Sequence, residues 1–94
     1  MNFFEKYLKR DEKVTWRTLE RDCILLHLTS GFYYTLNDVG RFLWESFDGE
    51  RKLQDIYEEM LEQYEVDPET ARKDMSELID DLMQEGLLKS IEKP

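Results

Sequence analysis

The feature that most constrains this chain is a change in the period of its apolar residues, from two before Leu36 to three and four after Asn37. Alternation by two lines one face of a strand, whereas spacing by three and four lines one face of a helix. In 94 residues this switch predicts an α+β fold, a small sheet followed by helices. No Gly/Ser/Pro-rich linker separates the halves, so residues 1–94 are read as a single domain, with 1–12 as an N-terminal extension.

The first strand is expected at Val14-Thr15-Trp16-Arg17-Thr18-Leu19, where Val14, Trp16 and Thr18 share a face. Glu20-Arg21-Asp22 suits a turn. Cys23-Ile24-Leu25-Leu26-His27-Leu28 is a continuous apolar run of strand length, as a central strand requires. Thr29-Ser30-Gly31 is a hairpin signal, since glycine accepts positive φ without steric cost. Phe32-Tyr33-Tyr34-Thr35-Leu36 completes a three-stranded antiparallel sheet, with Phe32, Tyr34 and Leu36 on one face and Tyr33 and Thr35 on the other. As the last strand, it is expected to leave an edge free.

Asn37 is a favourable N-cap, and Val39, Phe42, Leu43, Trp44 and Phe47 follow at helical spacing, with Gly49 as the expected stop. Leu53, Ile56, Tyr57, Met60, Leu61 and Tyr64 predict a second helix. Asp67-Pro68-Glu69 starts a third, with Ala71, Met75, Leu78 and Leu82 as its inner stripe and Gly86 as its stop. Leu87 to Ile91 is a terminal strand or wing. Three strands followed by a three-helix bundle give a winged helix-turn-helix-like arrangement.

Charge then narrows function. The chain has 13 basic and 22 acidic residues, a net charge of −9. The front, residues 1–35, is net +1; residues 36–94 are net −10. Nucleic acid is a poor partner for such a surface, because neutralising phosphates with Lys and Arg supplies most of that affinity. No apolar run approaches the ~20 residues that cross a bilayer. Phe3, Phe4, Tyr7 and Leu8 form too short and too weakly charged a segment to bind a membrane surface. The first residues lack a secretory signal pattern, so a cytoplasmic location is expected.

Catalysis finds no constellation. His27 is the one histidine and Cys23 the one cysteine, which excludes an internal disulfide or a cysteine-rich zinc site. Both sit in the central strand pattern, where packing explains them. No phosphate loop, nucleophile elbow or CxxC pair is present. Glu58, Glu59, Glu62, Glu65, Asp67 and Glu69 lack the spacing of a calcium loop and read as a solvated face. The expectation is a non-enzyme with no metal and no cofactor. Trp44, central in a helical stripe, reads as core, while Trp16 lies on a strand with one face open.

The third helix is the best non-catalytic clue. Beside its inner stripe, Arg72, Ser76, Ile79 and Met83 lie on one flank and Asp74, Asp81 and Glu85 on the other. The first flank is either the margin of a wide core stripe or the wall of a groove, a role that methionine suits because it adapts to varied apolar side chains.

Residues Val14 to Leu88 resemble the family of coenzyme PQQ synthesis protein D (PqqD), the prototype of peptide-recognition domains in pathways that modify ribosomally made peptides. The resemblance rests on Asp22 through Leu28, Ser30-Gly31-Phe32-Tyr33-Tyr34-Thr35-Leu36-Asn37, and Gly40. Leu43-Trp44-Glu45, Asp48-Gly49, Ile56, Tyr64 and Gly86-Leu87-Leu88 complete the set. Lys52 departs from it, standing where members often place a helix-capping Thr or Ser. The resemblance implies that a leader peptide docks as a fourth strand, antiparallel to the third and against the third helix. The implied binding residues are Phe32, Tyr33, Tyr34, Thr35, Leu36, Arg72, Met75, Ser76, Ile79 and Met83. The implied role is an adaptor presenting a precursor peptide to a modifying enzyme, such as a radical SAM protein or a leader protease, as a monomer or weak homodimer. A winged-helix DNA-binding regulator and a structural subunit of a larger complex are the alternatives; the acidic third helix opposes the first.

Overall fold

The computed structural model describes residues 3–92. Its first sheet follows the sequence pattern: β2 (Val14–Leu19), β3 (Asp22–His27) and β4 (Tyr33–Leu36) pair antiparallel in the order β2-β3-β4. A two-residue turn at Glu20-Arg21 joins the first pair, with Leu19 opposite Asp22 and Glu20 at φ 57°. The second turn is organised by His27, whose Nδ1 accepts hydrogen bonds from the backbone N–H groups of Thr29 and Ser30, each at 3.2 Å. Val14, Cys23, Leu25 and Leu36 point inward and are buried.

Three helices follow, α1 (Asp38–Ser46), α2 (Leu53–Gln63) and α3 (Pro68–Gln84), of which α1 packs on that sheet, α2 on α1 and α3 on α2. Asn37 caps α1 by accepting from the Gly40 N–H at 2.8 Å, and Asp67 caps α3 by accepting from the Thr70 N–H at 3.1 Å. Lys52, at the N-cap of α2, makes no side-chain cap bond and instead pairs with Glu5 at 3.2 Å. Past the end of α3, the Gly86 N–H bonds to the Met83 carbonyl and the Leu87 N–H to the Leu82 carbonyl, a Schellman closure. Trp44, Phe47, Leu43, Leu53, Ile56, Met60, Met75 and Leu82 fill the centre with the inward strand residues.

A second sheet departs from the sequence reading. Residues expected as an N-terminal extension contribute β1 (Tyr7–Arg10), the middle strand between β5 (Asp48–Lys52) and β6 (Leu88–Ile91), all antiparallel. The terminal segment expected as a strand or wing is β6, paired with β1 from Tyr7 opposite Ile91 to Arg10 opposite Leu88. The architecture is therefore α+β with three helices and two three-stranded antiparallel sheets. β1 and β5 escape a local reading because they are four and five residues long and carry no sustained alternation; backbone pairing across the whole chain defines them. Gly49 accordingly does not stop α1, which ends at Ser46. It lies in β5 at φ 81°, with its α-carbon face against the Lys9 side chain, where a Cβ would be strained.

The N-terminal aromatic segment is also docked. Phe4 stacks at 5.1 Å on Tyr57 of α2, beneath the Arg72 guanidinium at 5.5 Å. Arg10 donates to the Trp44 and Glu45 carbonyls, both at 2.9 Å, satisfying the end of α1. The same guanidinium lies over Trp16, whose ring meets Trp44 edge-on at 5.5 Å.

Candidate functional site: an open strand edge facing a helix

In β4 the backbone determines which groups are free. Tyr34 lies opposite Leu25 and Thr35 opposite Ile24, and the His27 N–H donates to the Phe32 carbonyl at 2.9 Å. Antiparallel ladders alternate between bonded and non-bonded pairs. Tyr34 and Leu36 are therefore tied to β3, while Tyr33 and Thr35 direct their N–H and C=O groups to the outer side. Among the described residues no strand pairs with that side.

Beside this edge lies an open depression of about 460 Å³ between β4, the start of α1 and α3. Leu36, Val39, Leu43, Met60, Val66 and Ala71 supply its apolar lining. Gly40 suits this close approach of α1 to β4: a Cβ there would stand 3.2 Å from the Leu36 Cβ, a tight contact that the neighbour would have to relieve by a few tenths of an ångström. The α3 wall is Asp74, Glu77, Leu78 and Asp81. These occupy positions i, i+3, i+4 and i+7, one stripe of the helix. The Tyr34 hydroxyl donates to Asp81 Oδ2 at 3.0 Å and spans from strand to helix. Burial, and then that carboxylate partner, hold the Tyr34 phenol above the usual tyrosine range.

The strand half of the expected site is brought together. Tyr34, Thr35 and Leu36 line the depression, Phe32 lies half-buried beside Tyr34 at 6.3 Å, and Tyr33 projects from the opposite face, 67% exposed. The α3 half is placed elsewhere. Met75 and Ile79 are buried in the core. Arg72 stacks over Phe4 and Tyr57 and, with Ser76, lines a separate shallow hollow at the start of α3. Met83 is exposed, and none of the five lines the depression beside β4. The helix is rotated relative to expectation: Ala71, Met75, Ile79 and Leu82 face inward, and Leu78 faces the depression. Leu78 and Ile79 are adjacent and equally apolar, so spacing alone does not say which of them the core takes. Of the flank set opposite Arg72 in sequence, Asp74 and Asp81 face β4, joined by Glu77, while Glu85 does not line the depression. The three carboxylates beside one apolar residue at i, i+3, i+4 and i+7 were the available signal.

Cys23 is fully buried, and burial, then the nearby Glu45 carboxylate, push its thiol up. Among the described residues no three His, Cys, Asp or Glu side chains gather as a metal ion would need.

A family model described as coenzyme PQQ synthesis protein D (PqqD) matches residues 22–88, which hold β3, β4, β5, all three helices and the first residue of β6. The chain belongs to the PqqD family. Among solved structures, it is similar to TbiB1 in complex with the TbiA(beta) leader peptide, at TM-score 0.78 and 25% identity over 90% of this chain and 99% of that one. It also shares its fold with a lasso peptide synthetase B1 complexed with the leader peptide, at TM-score 0.76 and 21% identity over 87% and 96% of the two chains. No curated protein sequence matches significantly.

Proposed function

We propose that the protein is a non-catalytic adaptor that binds the leader of a ribosomally made precursor peptide as an added strand on β4 and presents it to a modifying enzyme. One observation carries the reading: the Tyr33 and Thr35 backbone groups are unpaired at an edge that faces α3 across a depression with apolar and acidic lining. Backbone pairing supplies affinity that depends little on sequence, and alternate side chains entering the depression supply selectivity. Membership of the PqqD family and similarity to two proteins solved with leader peptides support the same role. The binding residues are Phe32, Tyr33, Tyr34, Thr35 and Leu36 on the strand, with Leu78, Asp74, Glu77 and Asp81 as the opposite wall in place of the Arg72 flank. The modifying enzyme is a radical SAM protein or a leader protease.

The winged-helix regulator is disfavoured by α3 itself, whose exposed residues include Asp74, Glu77, Asp80, Asp81 and Glu85. In a major groove they would meet phosphates of the same sign. The decisive experiment is titration of isotope-labelled protein with the leader segment of its pathway's precursor, read by amide chemical shifts. Tyr33, Thr35 and Leu78 shift on this reading. Shifts confined to Trp16 and α2, with β4 silent, refute it.

A further inference from the structure

The depression beside β4 carries a charge that its apolar lining does not require. Asp74, Glu77 and Asp81 line it, no Lys, Arg or His does, and no cation among the described residues lies within salt-bridge distance of any of the three. Tyr34 occupies one carboxylate oxygen of Asp81. From Asp74 to Asp81 the helix rises about 10 Å. Residues two apart on a strand are about 6.7 Å apart, so two side chains of a docked strand fit along this wall.

Strand pairing fixes which side chains those are. A strand bonded to Tyr33 and Thr35 turns the residues opposite Tyr34 and Leu36 toward α3 and the residues between them toward solvent. The two ends of the depression differ. Leu36 adjoins its apolar lining, with Val39 and Leu43 of α1, whereas Tyr34 is held against Asp81, one turn from Glu77. We propose that the groove selects a cationic leader strand, with an apolar side chain opposite Leu36 and a Lys or Arg opposite Tyr34, between Glu77 and Asp81. For a leader antiparallel to β4 this reads apolar–x–basic from N to C. The proposal rests on the strand-addition reading and specifies what the added strand carries.

The test selects random dodecapeptides by display on three proteins: wild type, Thr35→Pro, which blocks the edge, and Glu77→Gln/Asp81→Asn, which keeps side-chain size and the Tyr34 acceptor. Wild type is expected to enrich apolar–x–basic peptides, and the neutralised variant to keep the apolar preference and lose the basic one. Because the whole protein is acidic, each enriched peptide is remade as a composition isomer with its basic residue moved one position. That residue then faces solvent while the overall charge is unchanged. The original is expected to bind about fivefold more tightly than its isomer at low salt, the effect of two half-exposed ion pairs, and the gap is expected to close at high salt. Enrichment of neutral or acidic peptides that still depend on the edge, or equal binding of the isomers, overturns this inference and leaves strand addition standing. Identical pools on wild type and Thr35→Pro overturn both.

Discussion

Replacing Thr35 by proline separates the edge's role in binding from its role in the fold. Thr35 sits opposite Ile24 in a non-bonded pair, so its N–H points outward and closes no bond within the sheet. Proline is tolerated at an edge under that condition. The domain should therefore stay folded with unchanged helix content. The bound leader, in contrast, loses one ladder donor and is left with an unpaired carbonyl at a partly buried position. That costs about 2 kcal/mol, roughly thirtyfold in affinity. Tyr34→Pro is the contrasting change. Its N–H faces Leu25, a fully buried residue of the central strand, so the substitution breaks the β3–β4 ladder and should unfold the protein. Thr35→Val keeps the N–H and should bind as wild type does. Far-ultraviolet circular dichroism checks the fold, and calorimetric titration with the leader checks binding. A folded Thr35→Pro protein with wild-type affinity refutes the outward-facing ladder.

The rotation of α3 makes neighbouring residues behave differently. Leu78→Ala removes apolar contact with the leader and should weaken binding about tenfold with the fold kept, whereas Ile79→Asp buries an unpaired charge and should cost about 3 kcal/mol or more of stability, both read by thermal melts and titration. Asn37→Ala removes the side chain that caps α1 and should lower stability by about 1 kcal/mol in denaturant unfolding. Burial raises the Cys23 pKa, so its thiolate forms at higher pH than that of a free cysteine. Alkylation should lag behind a model thiol and match it only once the chain is unfolded.

Local pattern carried much of this protein into view. The alternation from Val14 to Leu36, the caps at Asn37 and Asp67 and the helical spacings after them correspond to elements found near those places, because each depends on residues close in sequence. The strand half of the candidate site was legible for the same reason, since alternation already separates Tyr34 and Leu36 from Tyr33 and Thr35. Two matters were decided only by the tertiary structure. The second sheet joins Tyr7–Arg10 and Asp48–Lys52, which no local pattern marks as strands, to the expected terminal strand Leu88–Ile91, and this pairing arises only when distant backbone meets and satisfies its hydrogen bonds. The rotation of α3 follows from how the sheet and α2 receive its apolar arc. That arc is wide enough to bury either Leu78 or Ile79, and choosing Ile79 turns Leu78, with Asp74, Glu77 and Asp81 beside it, toward the groove.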